Sequence, residues 1–283
     1  MQNSLFTRKF SLNIKGKIFE LNSPKIMGIL NATPDSFFKD SRVNTVTQIL
    51  HKAEKMLDEG AHILDIGGFS TRPNAEEVSI EEEITRILPL IDAISREFPE
   101  AIVSIDTFRS KVAKQAIEAG ASIINDISGG QADSDMFETV VQLKVPYIMM
   151  HMRGTPTTMM KNVTYENVVK EVVQFFSQQV SILKKMGHND IIIDPGFGFS
   201  KTIEQNYELL KHLNHLQMVG CPILIGVSRK TMIYKLLKTT PEMALNGTNI
   251  LNFASLEKGA RILRVHDVKE SRETIELFSA IYN

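Results

Sequence analysis

The stretch Asp190-Ile191-Ile192-Ile193-Asp194-Pro195-Gly196-Phe197-Gly198-Phe199 decides how the rest of the chain is read. Three consecutive isoleucines are apolar on both faces, as a strand buried in a parallel sheet must be. The run ends on a carboxylate. The glycines that follow let backbone approach a ligand closely, and the phenylalanines can offer ring faces to a planar one. Seven other short runs rich in Ile and Val follow the same plan: residues 25–30, 62–66, 101–105, 122–124, 145–150, 222–227 and 261–265.

The stretches between these runs read as amphipathic helices. Residues 45–59 place Val46, Ile49, Leu50, Ala53 and Leu57 on one face, and residues 80–98, 109–119, 165–186, 203–218 and 244–258 behave alike. Several stop at a glycine able to take the left-handed conformation: Gly60, Gly120, Gly187 and Gly259. Strands alternating with helices imply right-handed βαβ units, and eight of them imply a closed (β/α)8 TIM barrel. The competing open, doubly wound sheet is disfavoured because no run is followed by G-x-G-x-x-G. Ahead of the barrel, residues 10–14 and 17–21 flank Lys15-Gly16 and predict a β-hairpin. That hairpin, within residues 1–24, is expected to cap the barrel bottom of a single domain spanning residues 1–283.

A length of 283 residues suits one such barrel, and a net charge of −1 provides no global field for nucleic acid or an acidic membrane. Cys221 is the sole cysteine, so no intrachain disulfide forms. No uninterrupted apolar stretch is long enough to span a bilayer. The expectation is a cytoplasmic protein acting on small molecules, with no nucleic-acid or membrane partner.

Each apolar run ends in polar side chains: Asn31, Asp65, Asp106, Asn125 with Asp126, His151, Asp194, Ser228 with Arg229 and Lys230, and His266 with Asp267. Strand C-terminal ends share one face of a barrel, and that face carries the active site. Ordinary turn chemistry would explain a few of these residues. It does not explain why they are mostly acids, amides and bases. In Arg264-Val265-His266 the alternation turns Arg264 and His266 to the same side, a pair suited to a phosphate. Arg264 lies in an otherwise apolar strand and needs a partner, so an internal ion pair with Asp267 or another barrel carboxylate is an equal reading. Asp106 and Asp194 could bind a metal, move a proton or accept hydrogen bonds from a heterocycle. The acids are too dispersed to suggest an all-protein metal cage, which leaves open a magnesium ion held mainly by substrate phosphates. Two long loops, residues 31–44 with Asp35 and residues 67–79 with Ser70-Thr71-Arg72-Pro73, read as lids or as turn chemistry.

Residues 28–37 (Gly-Ile-Leu-Asn-Ala-Thr-Pro-Asp-Ser-Phe), Ser70-Thr71-Arg72-Pro73, Ser104-Ile105-Asp106-Thr107, Asn125-Asp126-Ile127, Met150-His151-Met152, residues 194–199, Ser228-Arg229-Lys230 and Arg264-Val265-His266-Asp267 together resemble dihydropteroate synthase, in family order and across nearly the whole chain. The resemblance implies condensation of 6-hydroxymethyl-7,8-dihydropterin pyrophosphate with p-aminobenzoate, by a dissociative path through a pterin cation. It implies that Asp106, Asn125, Asp194 and Lys230 bind the pterin, with Asp106, Lys230 and Asp35 serving catalysis. It implies that Asn31, Arg264 and His266 hold the pyrophosphate, Asn31 also facing Mg2+. Thr71, Arg72, Pro73, Phe199 and Ser228 would then bind p-aminobenzoate, and the resemblance further implies a homodimer and sulfonamide binding. A pterin-binding methyltransferase barrel and a non-catalytic pterin-binding protein are the rival readings; neither accounts for Ser-Thr-Arg-Pro, Ser-Arg-Lys and Arg-x-His together.

Overall fold

The computed structural model describes residues 8–31, 42–68, 78–155, 158–159 and 163–282, without the side chains of residues 42–45. It opens with an antiparallel hairpin of β1 (Ser11–Ile14) and β2 (Lys17–Glu20). Lys15 and Gly16 both have positive φ, the backbone twist that a two-residue hairpin turn requires. The chain then alternates: β3 (Lys25–Asn31), α1 (Arg42–Asp58), β4 (Ile63–Gly67), α2 (Ile80–Glu97), β5 (Ile102–Asp106), α3 (Ser110–Glu118), β6 (Ile123–Asp126), α4 (Met136–Leu143), β7 (Tyr147–Met150), α5 (Val168–Lys185), β8 (Ile191–Asp194), α6 (Ile203–Lys211), β9 (Ile223–Ile225), α7 (Thr231–Leu236), α8 (Leu245–Glu257), β10 (Ala260–Val265) and α9 (Val268–Tyr282). Strands β3 to β10 pair in chain order, all parallel, and β10 closes the barrel on β3.

Period-two alternation sorts the strand residues. Outward-facing Ile26, Leu64, Val103, Ile124, Met149, Ile193 and Leu263 join one large buried cluster with the helices. Inward-facing Met27, Ile63, Ile123, Ile148, Ile192, Leu224 and Ile262 form a second cluster inside the lower barrel. Leu12, Ile14 and Leu21 of the hairpin segment belong to that second cluster. Asn13 N–H donates to Asp190 Oδ1 at 3.1 Å, and Arg261 Nη1 donates to the Leu21 carbonyl at 3.1 Å, so the hairpin is tied to strand starts by polar contacts as well.

Two residues further along the same inward rows stand Ile29, Asp65, Asn125, Met150, Asp194, Gly226 and Arg264, with Ser104 on β5 two residues beyond Ile102. The barrel interior therefore changes from wholly apolar to mostly polar within one repeat of the strand.

The helical reading of residues 203–218 breaks at His212, where α6 gives way to a 3-10 turn over Leu213–Val219. Helices α4, α7 and α9 were not singled out in the sequence. The first two are short, with 8 and 6 residues, less than the length over which helical periodicity stands out.

Candidate active site

Arg264 dominates the upper interior. Its Nε donates to Asp65 Oδ2 at 2.7 Å, and its Nη2 lies 2.7 Å from Asp106 Oδ2. Asn125 Nδ2 donates to the same Asp65 oxygen at 3.1 Å. One guanidinium thus ties β10 to β4 and β5, and Asp65 gathers both Arg264 and Asn125. Of the two readings of Arg264, the ion pair is present, with Asp65 and Asp106 as partners. Asp267 pairs instead with Arg229, Oδ1 to Nη2 at 2.8 Å. Burial raises the Asp106 carboxyl above the ordinary carboxylate range; Arg264 opposes the shift and Asp65 adds to it.

Strand β8 delivers Asp194 to the same layer. Its Oδ1 accepts the Gly196 N–H at 2.8 Å, and burial raises its pKa against the opposing charges of Lys230, Arg264 and Lys201. The segment after it turns sharply, with φ of 69° at Gly196 and 80° at Gly198. Lys230, which precedes α7, sends its Nζ to the Phe197 carbonyl at 2.5 Å and lies 4.7 Å from the centroid of the Phe199 ring. Burial lowers the Lys230 ammonium to about 8 despite Asp194. Gly226, inward on β9's row, has no side chain; the nearest atoms to a Cβ there would be Lys230 Nζ at 3.8 Å and Arg264 Cβ at 3.9 Å. A side chain there would make ordinary van der Waals contact with both, so the glycine lies directly beside Lys230 and Arg264.

At the rim, Ser228 Oγ and His266 Nδ1 are 3.0 Å apart, and His266 follows β10 on the side that bears Arg264. Asn31 ends β3, exposed and in register with Gly67. The structure therefore brings Asp106, Asn125, Asp194, Lys230, Phe199 and Arg264 into one neighbourhood, with Ser228, His266 and Asn31 at strand ends above it. Asp35, Thr71, Arg72 and Pro73 lie outside the described residues. Among the described residues, no group of three His, Cys, Asp or Glu side chains could hold a metal ion.

Two of the polar strand ends serve the framework. Asp126 is fully buried and accepts from Ser128 N and Oγ, both 2.7 Å, from Gly130 N at 2.8 Å and from Tyr147 Oη at 2.6 Å. His151 packs edge-on against Phe175, with ring centroids 5.0 Å apart. Two residues were given no role from the sequence. Asp65 was visible as a strand-end acid, and counting two residues on from inward Ile63 would have placed it inside. Lys201 carried no such signal, because a lysine after a Gly-Phe-Ser turn reads as a surface residue.

A family model described as pterin binding enzyme matches residues 27–266. A curated dihydropteroate synthase from Synechocystis is 43% identical over 260 residues, covering 91% of this chain and 90% of that protein. The chain belongs to the dihydropteroate synthase family. Solved dihydropteroate synthases agree in fold: the Yersinia pestis enzyme in a sulfonamide drug complex matches with a TM-score of 0.89 at 37% identity, covering 96% of this chain and 99% of that one. The Xanthomonas albilineans dihydropteroate synthase with 4-aminobenzoic acid matches with a TM-score of 0.88 at 35% identity, covering 97% of this chain and 98% of that one. The chain is accordingly a transferase with dihydropteroate synthase activity. Among the described residues, no helix is long and apolar enough to cross a membrane.

Proposed function

We propose that the upper barrel interior binds 6-hydroxymethyl-7,8-dihydropterin pyrophosphate, and that the mouth above it presents p-aminobenzoate to the reacting methylene. The observation that carries this reading is the convergence of Asp106, Asn125, Asp194 and Lys230 in the barrel layer that Arg264 crosses. A carboxylate can accept two parallel N–H groups, so Asp194 suits the aminopyrimidine edge of a pterin. Asn125 and Lys230 supply the remaining polar contacts.

Arg264 spends Nε and Nη2 on carboxylates, while Nη1 makes no hydrogen bond among the described residues. That edge, with His266 and Asn31, forms the pyrophosphate site of this reading. Asn31, through its amide oxygen, would help to hold Mg2+ bound mainly by the substrate's phosphates. Bound Mg2+ would neutralise charge on the leaving pyrophosphate. The methylene carbon–oxygen bond breaks and its electron pair leaves with pyrophosphate. The resulting positive charge on the pterin faces Asp106, whose carboxylate stabilises it in a site shielded from water. The arylamine nitrogen then bonds to the methylene, and its proton passes to water or pyrophosphate. Phe199 and Ser228, with Thr71, Arg72 and Pro73, hold p-aminobenzoate; Asp35 acts from the first long loop.

The same reading makes residues 1–283 one domain, with the hairpin segment as the lower cover of the barrel, acting in the cytoplasm. It also includes a homodimer, supported by exposed Leu236, Leu237, Met243, Ile250, Leu277 and Ile281 on or beside α7, α8 and α9. Sedimentation at micromolar concentration tests it, and a monomer throughout would remove it.

The deciding assay follows pyrophosphate release and dihydropteroate formation with magnesium, with and without p-aminobenzoate. Dihydropteroate that requires both substrates supports the reading. Tight pterin binding with neither product would overturn it.

A further inference from the structure

Lys201 is 2% exposed, and a lysine is rarely buried so deeply. Its three N–H donors meet three good acceptors: His151 Nδ1 at 3.0 Å, the Phe199 carbonyl at 3.0 Å and the Gly196 carbonyl at 3.1 Å. The His151 carbonyl lies slightly further, at 3.4 Å. Among the described residues it forms no ion pair with a carboxylate. A methionine would fill the same space without the cost of desolvating a charge. The ammonium is therefore kept for the geometry that it imposes.

That geometry concerns one segment. Gly196, Gly198 and Ser200 all have positive φ, so the chain after Asp194 coils tightly enough to turn successive carbonyls toward lysines. Lys201 takes carbonyls 196 and 199, while Lys230 takes carbonyl 197. The Phe199 ring, beneath the Lys230 ammonium, hangs from a backbone whose own carbonyl is held by Lys201. We propose that Lys201 is a positioning residue for the arylamine half of the reaction, fixing the place of the Phe199 ring without touching substrate. The inference rests on the reading above that Phe199 borders the p-aminobenzoate site.

The test is a double-mutant cycle on the full chain with Lys201→Met and Phe199→Ala, read by steady-state kinetics, pterin binding and thermal melting. Residues that act as a unit give non-additive effects, so K201M is expected to raise the KM for p-aminobenzoate about tenfold in the parent and less than about twofold in F199A. Dihydropterin pyrophosphate affinity should change less than that KM. An undiminished K201M effect in the F199A background overturns the proposal, as does a folded K201M with unchanged KM. If F199A alone leaves the KM unaltered, the placement of Phe199 is at fault, and the proposal falls with it. Should K201M fail to fold, His151→Phe removes one acceptor at similar volume, and a smaller rise in the same KM is expected; no rise would overturn the proposal.

Discussion

Arg264 Nη2 stands 2.7 Å from Asp106 Oδ2, although their strands, β10 and β5, are separated around the barrel by β3 and β4. The contact crosses the interior, and Asp65 shares it. Removing one partner of a buried ion pair leaves uncompensated charge, so Arg264→Ala should destabilise the fold by about 3–5 kcal/mol. It should also cut turnover roughly a hundredfold, if Arg264 is the preorganised cation at the leaving group that the proposed function makes it. Arg264→Lys should regain only part of either, because lysine lacks the fork that serves two carboxylates. Denaturant titration and turnover on both variants check this; a fully active, fully stable Arg264→Ala would remove the residue from both roles.

Lys230 should set an upper pH limit. Its ammonium, lowered by burial to about 8, is charged below that pH and neutral above it. The kcat/KM for dihydropterin pyrophosphate reports the free enzyme and should decline as pH rises through about 8. Arginine does not deprotonate in this range, so Lys230→Arg should move the decline upward even at reduced rate. An unmoved decline would assign the titration elsewhere.

Acid should act through His62, remote from the site. Its Nδ1 accepts the Ile26 N–H at 3.2 Å, which requires a neutral ring, and burial followed by Lys25 lowers its pKa from 6.5 to about 4. The unfolded chain takes up the proton first, so this contribution is complete above pH 6.5 and is lost as pH falls through about 4. Allowing for partial solvent contact, it amounts to about 2 kcal/mol. Urea titrations at pH 7 and pH 4 should show a smaller acid loss in His62→Gln, whose amide oxygen can accept the same N–H. Equal losses in both proteins would refute the assignment.

Gly196 tolerates no side chain. Its φ is 69°, and a Cβ there would collide with the carbonyl oxygen of His151. The left-handed backbone alone costs about 1–2 kcal/mol in any other residue, and the collision adds to it. Gly196→Ala should therefore lose about 3 kcal/mol or more, and turnover should drop with it. A normal melting curve would show that the segment has another conformation within reach.

Much of this was readable in the chain. The eight strands are apolar runs with polar ends, and barrel closure converts those ends into a single face. The roles inside that face were harder to read, because they depend on which way each strand turns its alternate residues. Asp65 and Asp126 look alike in the sequence, each an acid at a strand end. Asp65 turns inward to meet Arg264 and Asn125, whereas Asp126 turns outward to Tyr147 and the turn at Gly130. Gly226 is legible only as an absence, and Lys201 only once the coil that surrounds it has formed. The amphipathic α9 could have been found from Val268, Ile275 and Phe278, which space the core side of a helix.

The apolar plug formed by Leu12, Ile14 and Leu21 with the strand starts has a consequence for traffic. It makes the barrel a blind well with one opening. On the reading proposed above, whatever settles against Asp194 and Asn125 would have to arrive before anything that rests over it, and to wait for that upper occupant to go. The two occupants would then form a last-in, first-out queue, a molecule lodged at the mouth imprisoning the one beneath.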